Sequence, residues 1–143
     1  MLIGGAGNDS YFLDSYYTQF EPKIVEDVDG GIDSIEGWGR GVELPANVEN
    51  GSSVGRYGGG VIGNELDNVL YAGINGFEDG AYNDIEGGGG HDRISSGGDC
   101  FVYGGHEADH FASGTDVWTF IYKDWRDSTP TERDVFDGFS AGT

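Results

Sequence analysis

Three short stretches of the chain join glycine and acid at one spacing. Gly4-Gly5-Ala6-Gly7-Asn8-Asp9-Ser10-Tyr11-Phe12 and Gly87-Gly88-Gly89-Gly90-His91-Asp92-Arg93-Ile94-Ser95 both read G-G-x-G-x-D-x-U-x, with U a large apolar residue. Gly104-Gly105-His106-Glu107-Ala108-Asp109-His110-Phe111-Ala112 repeats the pattern with Glu107 in place of the third glycine. A turn of this composition can present backbone carbonyls inward, because glycine tolerates positive φ and close approach. The aspartate adds a carboxylate where the turn ends. The donors are all oxygens, which suits calcium, a hard cation that takes 6–8 oxygen ligands at about 2.3–2.6 Å.

A second pattern overlaps the third stretch. His106-Glu107-Ala108-Asp109-His110 matches H-E-x-x-H, the zinc protease signature. That chemistry needs a helix to aim both histidines at one metal, with the glutamate as general base. Here the motif follows Gly104-Gly105 and runs into Ser113-Gly114, and nothing in it favours a helix. Asp109 also falls in the calcium slot of a repeat. We therefore expect no zinc site. Cys100, the single cysteine, has no base near it in sequence and reads as a packing residue rather than a nucleophile.

The elements that position these acids are turns and very short strands. Glycines recur from Gly55 to Gly114, and each costs about 1 kcal/mol inside a helix. A turn-then-strand unit recurs instead, as in repeat architectures. Weaker copies fill the spaces around Asn75-Gly76-Phe77-Glu78, Asn83-Asp84-Ile85-Glu86 and Ser96 to Tyr103, the last with Asp99 or Cys100 near the aspartate slot. Leu70, Phe77, Ile85, Ile94, Val102 and Phe111 recur every seven to nine residues. Each reads as the inward residue of a short strand.

The pattern resembles the RTX, or haemolysin-type, calcium-binding repeat family. Gly63-Asn64-Glu65-Leu66-Asp67-Asn68-Val69-Leu70 is similar to the entry into an RTX array. Gly4 to Asp14, Ile24-Val25-Glu26, Gly30 to Ile35 and Leu44 to Asn50 look like a segment found before or between such arrays. Asp116 to Phe120, Asp127-Ser128 and Asp134 to Phe139 look like the segment that closes the array in serralysin-type domains. The resemblance implies a parallel β-roll in which each repeat is half a turn, so alternate repeats stack and calcium sits between their loops. Asp92 and Asp109 then face one side and share an ion, with Asn75 as a neighbour there. Asn83 or Asp84 stacks with Asp99 on the other side. Asp9 and Asp33 clamp an ion across a longer excursion, with Glu26 beside them. Asp134 and Asp137 resemble calcium-site residues of the closing segment.

Composition agrees with a cation as partner. Asp and Glu number 26 against 7 Lys and Arg, a formal charge of −19. Such a chain repels nucleic-acid backbones and anionic lipid surfaces. No apolar run approaches the roughly 20 residues of a membrane span. Met1-Leu2-Ile3 runs into Gly4-Gly5 with no basic start and no apolar stretch, so no N-terminal signal peptide is read. Leu, Ile, Val and Phe together lie just above the roughly 20% below which a highly charged chain is disordered.

The reading is therefore an all-β, right-handed parallel β-roll. Residues 1–58 are expected to form an N-terminal strand-and-loop segment, 59–115 the calcium-binding roll and 116–143 a truncated cap. Expected metal-site residues are Gly4, Gly5, Gly7, Asp9, Asp33, Asn75, Asp84, Gly87, Gly88, Gly90, Asp92, Asp99, Gly104, Gly105 and Asp109. The expected function is binding of several Ca²⁺ ions coupled to folding, without catalysis. The resemblance implies an extracellular protein exported through type I secretion machinery. The abrupt ends suggest a fragment. The alternatives are the C-terminal part of a secreted protease, lipase or polysaccharide-modifying enzyme, or an adhesin whose aromatic faces, Trp38, Trp118 and Trp125 among them, meet a cell-surface or carbohydrate partner.

Overall fold

The computed structural model describes residues 1–14, 22–39, 41–74, 80–112 and 116–139. Among them there is no helix, hence none long and apolar enough to cross a membrane. Fourteen strands follow one another: β1 (Leu2–Ile3), β2 (Ser10–Asp14), β3 (Ile24–Val25), β4 (Ser34–Trp38), β5 (Val42–Glu43), β6 (Asn50–Gly55), β7 (Gly60–Ile62), β8 (Val69–Ile74), β9 (Asn83–Gly88), β10 (Arg93–Gly97), β11 (Cys100–Gly105), β12 (His110–Ala112), β13 (Trp118–Phe120) and β14 (Val135–Asp137).

All pairings between these strands are parallel. The even-numbered strands form one sheet of seven, in the order β14-β12-β10-β8-β6-β4-β2. Odd-numbered strands β13-β11-β9-β7-β5 form a sheet of five, and β1 pairs β3 apart from it. The chain thus alternates between the two sides at every step. The even sheet is continuous from residue 10 to residue 137, across both boundaries read from the sequence.

Two apolar rows follow from strand register and period-2 alternation. On the even sheet Ile35, Gly51, Leu70, Ile94, Phe111 and Phe136 are successive rungs. On the odd sheet Val42, Val61, Ile85, Val102 and Phe120 are. Leu70, Ile85, Ile94, Val102 and Phe111 are buried as expected and belong to one core. Phe77 lies outside the described residues. Gly51 breaks the even row for a packing reason: a Cβ there would press on Leu44 and Val61, which fill that rung. Toward β14 the rows switch to aromatics. The Phe111 ring lies 5.1 Å from Phe120 and 5.2 Å from Phe136. Trp118 and Phe139 pack around Phe120, so large rings cover the core where the rungs end.

Candidate metal centre

The residue immediately before each even strand stands in one column: Asp9, Asp33, Glu49, Asn68, Asp92, Asp109 and Asp134. The column is a hydrogen-bonded ladder. Asp9 N–H donates to Asp33 Oδ1 (2.8 Å), and Asp33 N–H to Glu49 Oε2 (2.8 Å). Asn68 N–H donates to Asp92 Oδ1 (2.9 Å), Asp92 N–H to Asp109 Oδ1 (3.0 Å), and Asp109 N–H to Asp134 Oδ1 (3.0 Å). Parallel stacking produces this because each strand start lies directly over the next. Asp33, Glu49, Asp92, Asp109 and Asp134 therefore each spend one oxygen on the backbone of a neighbour.

The second oxygen is the chemically interesting one. Asp33, Asp92 and Asp109 are 0%, 1% and 1% exposed. Their Oδ2 atoms are buried with no hydrogen-bond partner. A buried, unpaired carboxylate oxygen calls for a proton or a cation. Burial pushes the Asp92 carboxyl up to about 8 and the Asp109 carboxyl up to about 7. Neighbouring carboxylates add to both shifts, and N–H donors oppose them only in part. Burial also raises Asp134.

The glycine turns lie against these oxygens. A Cβ at Gly87 would collide with Asp92 Oδ2 and the Gly104 carbonyl oxygen, and one at Gly104 with Asp109 Oδ2 and the Phe111 ring. The second and third glycines of the pattern take left-handed backbone: Gly5 and Gly7 at φ 87° and 116°, Gly88 and Gly90 at 109° and 92°, and Gly105 at 118°. Glu107 occupies the third slot at φ 79°, and its carboxylate accepts the Gly90 N–H. We expect Gly104→Ala to destabilise the protein by about 2 kcal/mol, because buried groups must shift to admit one methyl. Gly41→Ala, where the new methyl makes ordinary contact, should stay within about 0.5 kcal/mol. Urea denaturation of both variants checks this.

A second cluster lies near the N-terminus. One carboxylate oxygen each from Asp9, Glu26 and Asp33 lies within 4.8 Å of the others. Glu26 is buried and receives the Gly5 N–H (2.9 Å) and the Tyr11 hydroxyl. That hydroxyl is pushed up to about 12, first by its bond to the Glu26 carboxylate. Asp33, whose Oδ2 has no hydrogen-bond partner, belongs to this cluster, and its donors are all oxygens.

Among the described residues the opposite side of the fold carries no matching acid column. Register places Asn83 over Cys100 and Asp84 over Phe101, so Asp84 and Asp99 are not brought together. Asp84 points outward because Asn83 and Ile85 take the inward positions of β9. The Asn83 amide is satisfied by Gly59 N–H (2.7 Å) and Ser96 Oγ (2.8 Å). Asp99 is exposed and caps the Val117 N–H. Asn75 lies outside the described residues.

The column includes two residues that sequence reasoning missed, Glu49 and Asn68. Asn68 had a signal: Gly63 stands to it as Gly87 does to Asp92, and a Cβ at Gly63 would meet Asn68 Oδ1. Its amide closes on Asn64 N–H and the Val48 and Glu49 carbonyls. It thereby splits the column into two acidic stretches. Glu49 follows no such glycine and had none.

Residues 106–110 form a turn leading into β12 rather than a helix. His106 Nε2 lies 3.6 Å from Asp127 Oδ1, whereas His110 Nε2 lies 2.7 Å from Asp137 Oδ2. The two imidazoles serve different carboxylates. Cys100 is buried, and burial pushes its thiol up to about 11, which keeps it protonated and unreactive.

The class these observations define is an all-β protein of parallel strands with a one-sided acidic column. Compared with protein-family models, curated proteins and solved structures, the chain matches none.

Proposed function

We propose that the chain is a calcium-binding module of RTX type, a parallel β-roll whose folding is driven by the ions it holds. The observation that carries this is the column of buried carboxylates, in which Asp33, Asp92 and Asp109 each keep an oxygen without a partner and Asp92 and Asp109 each lie against a glycine turn. Asp92 and Asp109, with carbonyls of the 87–90 and 104–107 turns, would hold one ion or a pair. Asp9, Glu26 and Asp33 would hold another. Calcium fits better than zinc because the donors are hard oxygens without imidazole or thiolate. The same reading implies secretion as an unfolded chain into a calcium-rich medium, with the parent protein's other activities lying elsewhere.

Titration calorimetry tests the shared site. Asp92→Ala and Asp109→Ala should each weaken calcium binding there about tenfold or more, while the double variant adds less than about threefold to either, since groups on one ion are not independent. Strictly additive losses would assign the two aspartates to different ions. Unchanged binding in all three would remove calcium from this column.

A further inference from the structure

The odd-numbered side is interrupted between β3 and β5. Among the described residues β3 has one hydrogen-bonded neighbour, β1, and β5 has one, β7. In a parallel ladder successive residues turn their backbone groups to opposite sides. Leu44 gives its N–H to Ile62 on β7. Glu43, one residue earlier, therefore turns its N–H and C=O to the open edge. Lys23 and Val25 accept from Leu2 and Gly4 on the β1 side, so the backbone groups of Ile24 also face the break.

A cleft of about 570 Å³ lies at this break, within the roughly 300–1,000 Å³ of ligand-binding clefts. Leu13, Ile35, Val42, Leu44 and Val61 give it an apolar wall. Glu43, Asp84 and Glu86 also line it, against Lys23 as the one cation among the described residues. Glu86 is partly neutralised by Lys123 at 3.2 Å. Glu43 and Asp84 are exposed.

We propose that this cleft binds an extended peptide segment that adds to the free edge of β5, with alternate residues apolar and basic. Main-chain hydrogen bonds to Glu43 supply pairing, and alternation sends apolar side chains onto the wall and basic ones toward Glu43. Charge selects the partner. The acidic lining and the overall −19 repel an acidic segment and draw a basic one. Among the described residues no strand covers this edge, and a free edge beside an apolar wall is what strand addition requires.

The test uses the full chain in millimolar calcium and fluorescence anisotropy with short labelled peptides: alternating Val-Lys, alternating Val-Glu, and a Val/Lys peptide of scrambled order. The Val-Lys probe should bind about tenfold or more tighter than the other two. Glu43→Gln should weaken it about threefold through lost charge. Glu43→Pro, which also deletes the outward N–H at an edge position open to proline, should weaken it about tenfold further. Should Glu43→Pro fail to fold by circular dichroism, a Val-Lys probe N-methylated at alternate residues removes the same bonds on the wild-type protein, with the same expected loss. Equal binding of ordered and scrambled probes, equal binding of Glu43→Pro and Glu43→Gln, an unaffected N-methylated probe, or no binding by any probe overturns the proposal.

Discussion

In EGTA near neutral pH the chain is expected to lose most of its far-UV β signal and to regain it cooperatively as calcium reaches the millimolar range. The cause is electrostatic. A charge of −19 on 143 residues opposes compaction. The fold concentrates that cost by burying Asp33, Asp92 and Asp109 with an oxygen unpaired on each. The apolar rows are thin, since every rung supplies one or two inward side chains per sheet. On the proposed reading each Ca²⁺ would offset two charges and tie neighbouring turns together, so that its binding free energy becomes folding free energy. Extracellular calcium modules bind at about 10⁻⁴–10⁻³ M. Stacked rungs share turns, so the transition should be steep. Magnesium should substitute poorly, because it demands a tighter octahedral shell. A full β signal in EGTA that calcium leaves unchanged would remove the coupling.

The second large effect is expected from acid. Asp92 and Asp109 are raised from an ordinary 3.8 to about 8 and about 7 in the metal-free fold. A carboxyl raised on folding binds its proton more tightly in the folded state. Its contribution to stability is full below about pH 4, fades as pH rises, and is gone above about pH 8. The metal-free chain should therefore recover far-UV β signal in EGTA as pH falls from 8 to 5, its folding free energy gaining up to about 1.4 kcal/mol per pH unit for each proton taken up. Calcium competes for the same oxygens, so its apparent affinity should run the other way and rise with pH. Reduced net charge at pH 5 acts in the same direction. The Asp92→Asn/Asp109→Asn double variant separates the two causes: its pH dependence in EGTA should flatten while the bulk charge effect remains. A metal-free chain more stable at pH 8 than at pH 5 would contradict the burial of these acids.

Much of this fold is legible in the sequence because its encoding is local. Glycine at 88 and 90 and again at 105 marks where the backbone must turn left-handed, and those positions do. Ile85, Ile94, Val102 and Phe111 mark the inward positions by recurrence alone, and all are buried. The interval between Asp92 and Asp109 spans two turn-and-strand units, which is why Asp92 N–H meets Asp109 Oδ1 across 17 residues. Only tertiary structure decided the rest. Asp84 and Asn83 are neighbours in sequence, but strand alternation sends one outward and the other into the core, and a shift of one residue in register would reverse them. Glu49 joins the acid column through an excursion whose length carries no repeat, so its bond to the Asp33 N–H across 16 residues follows from which strands pair. The gap between β3 and β5 arises in the same way. Local spacing determines where each strand lies along the chain, while pairing across the stack determines which edges are left open and which carboxylates face one another.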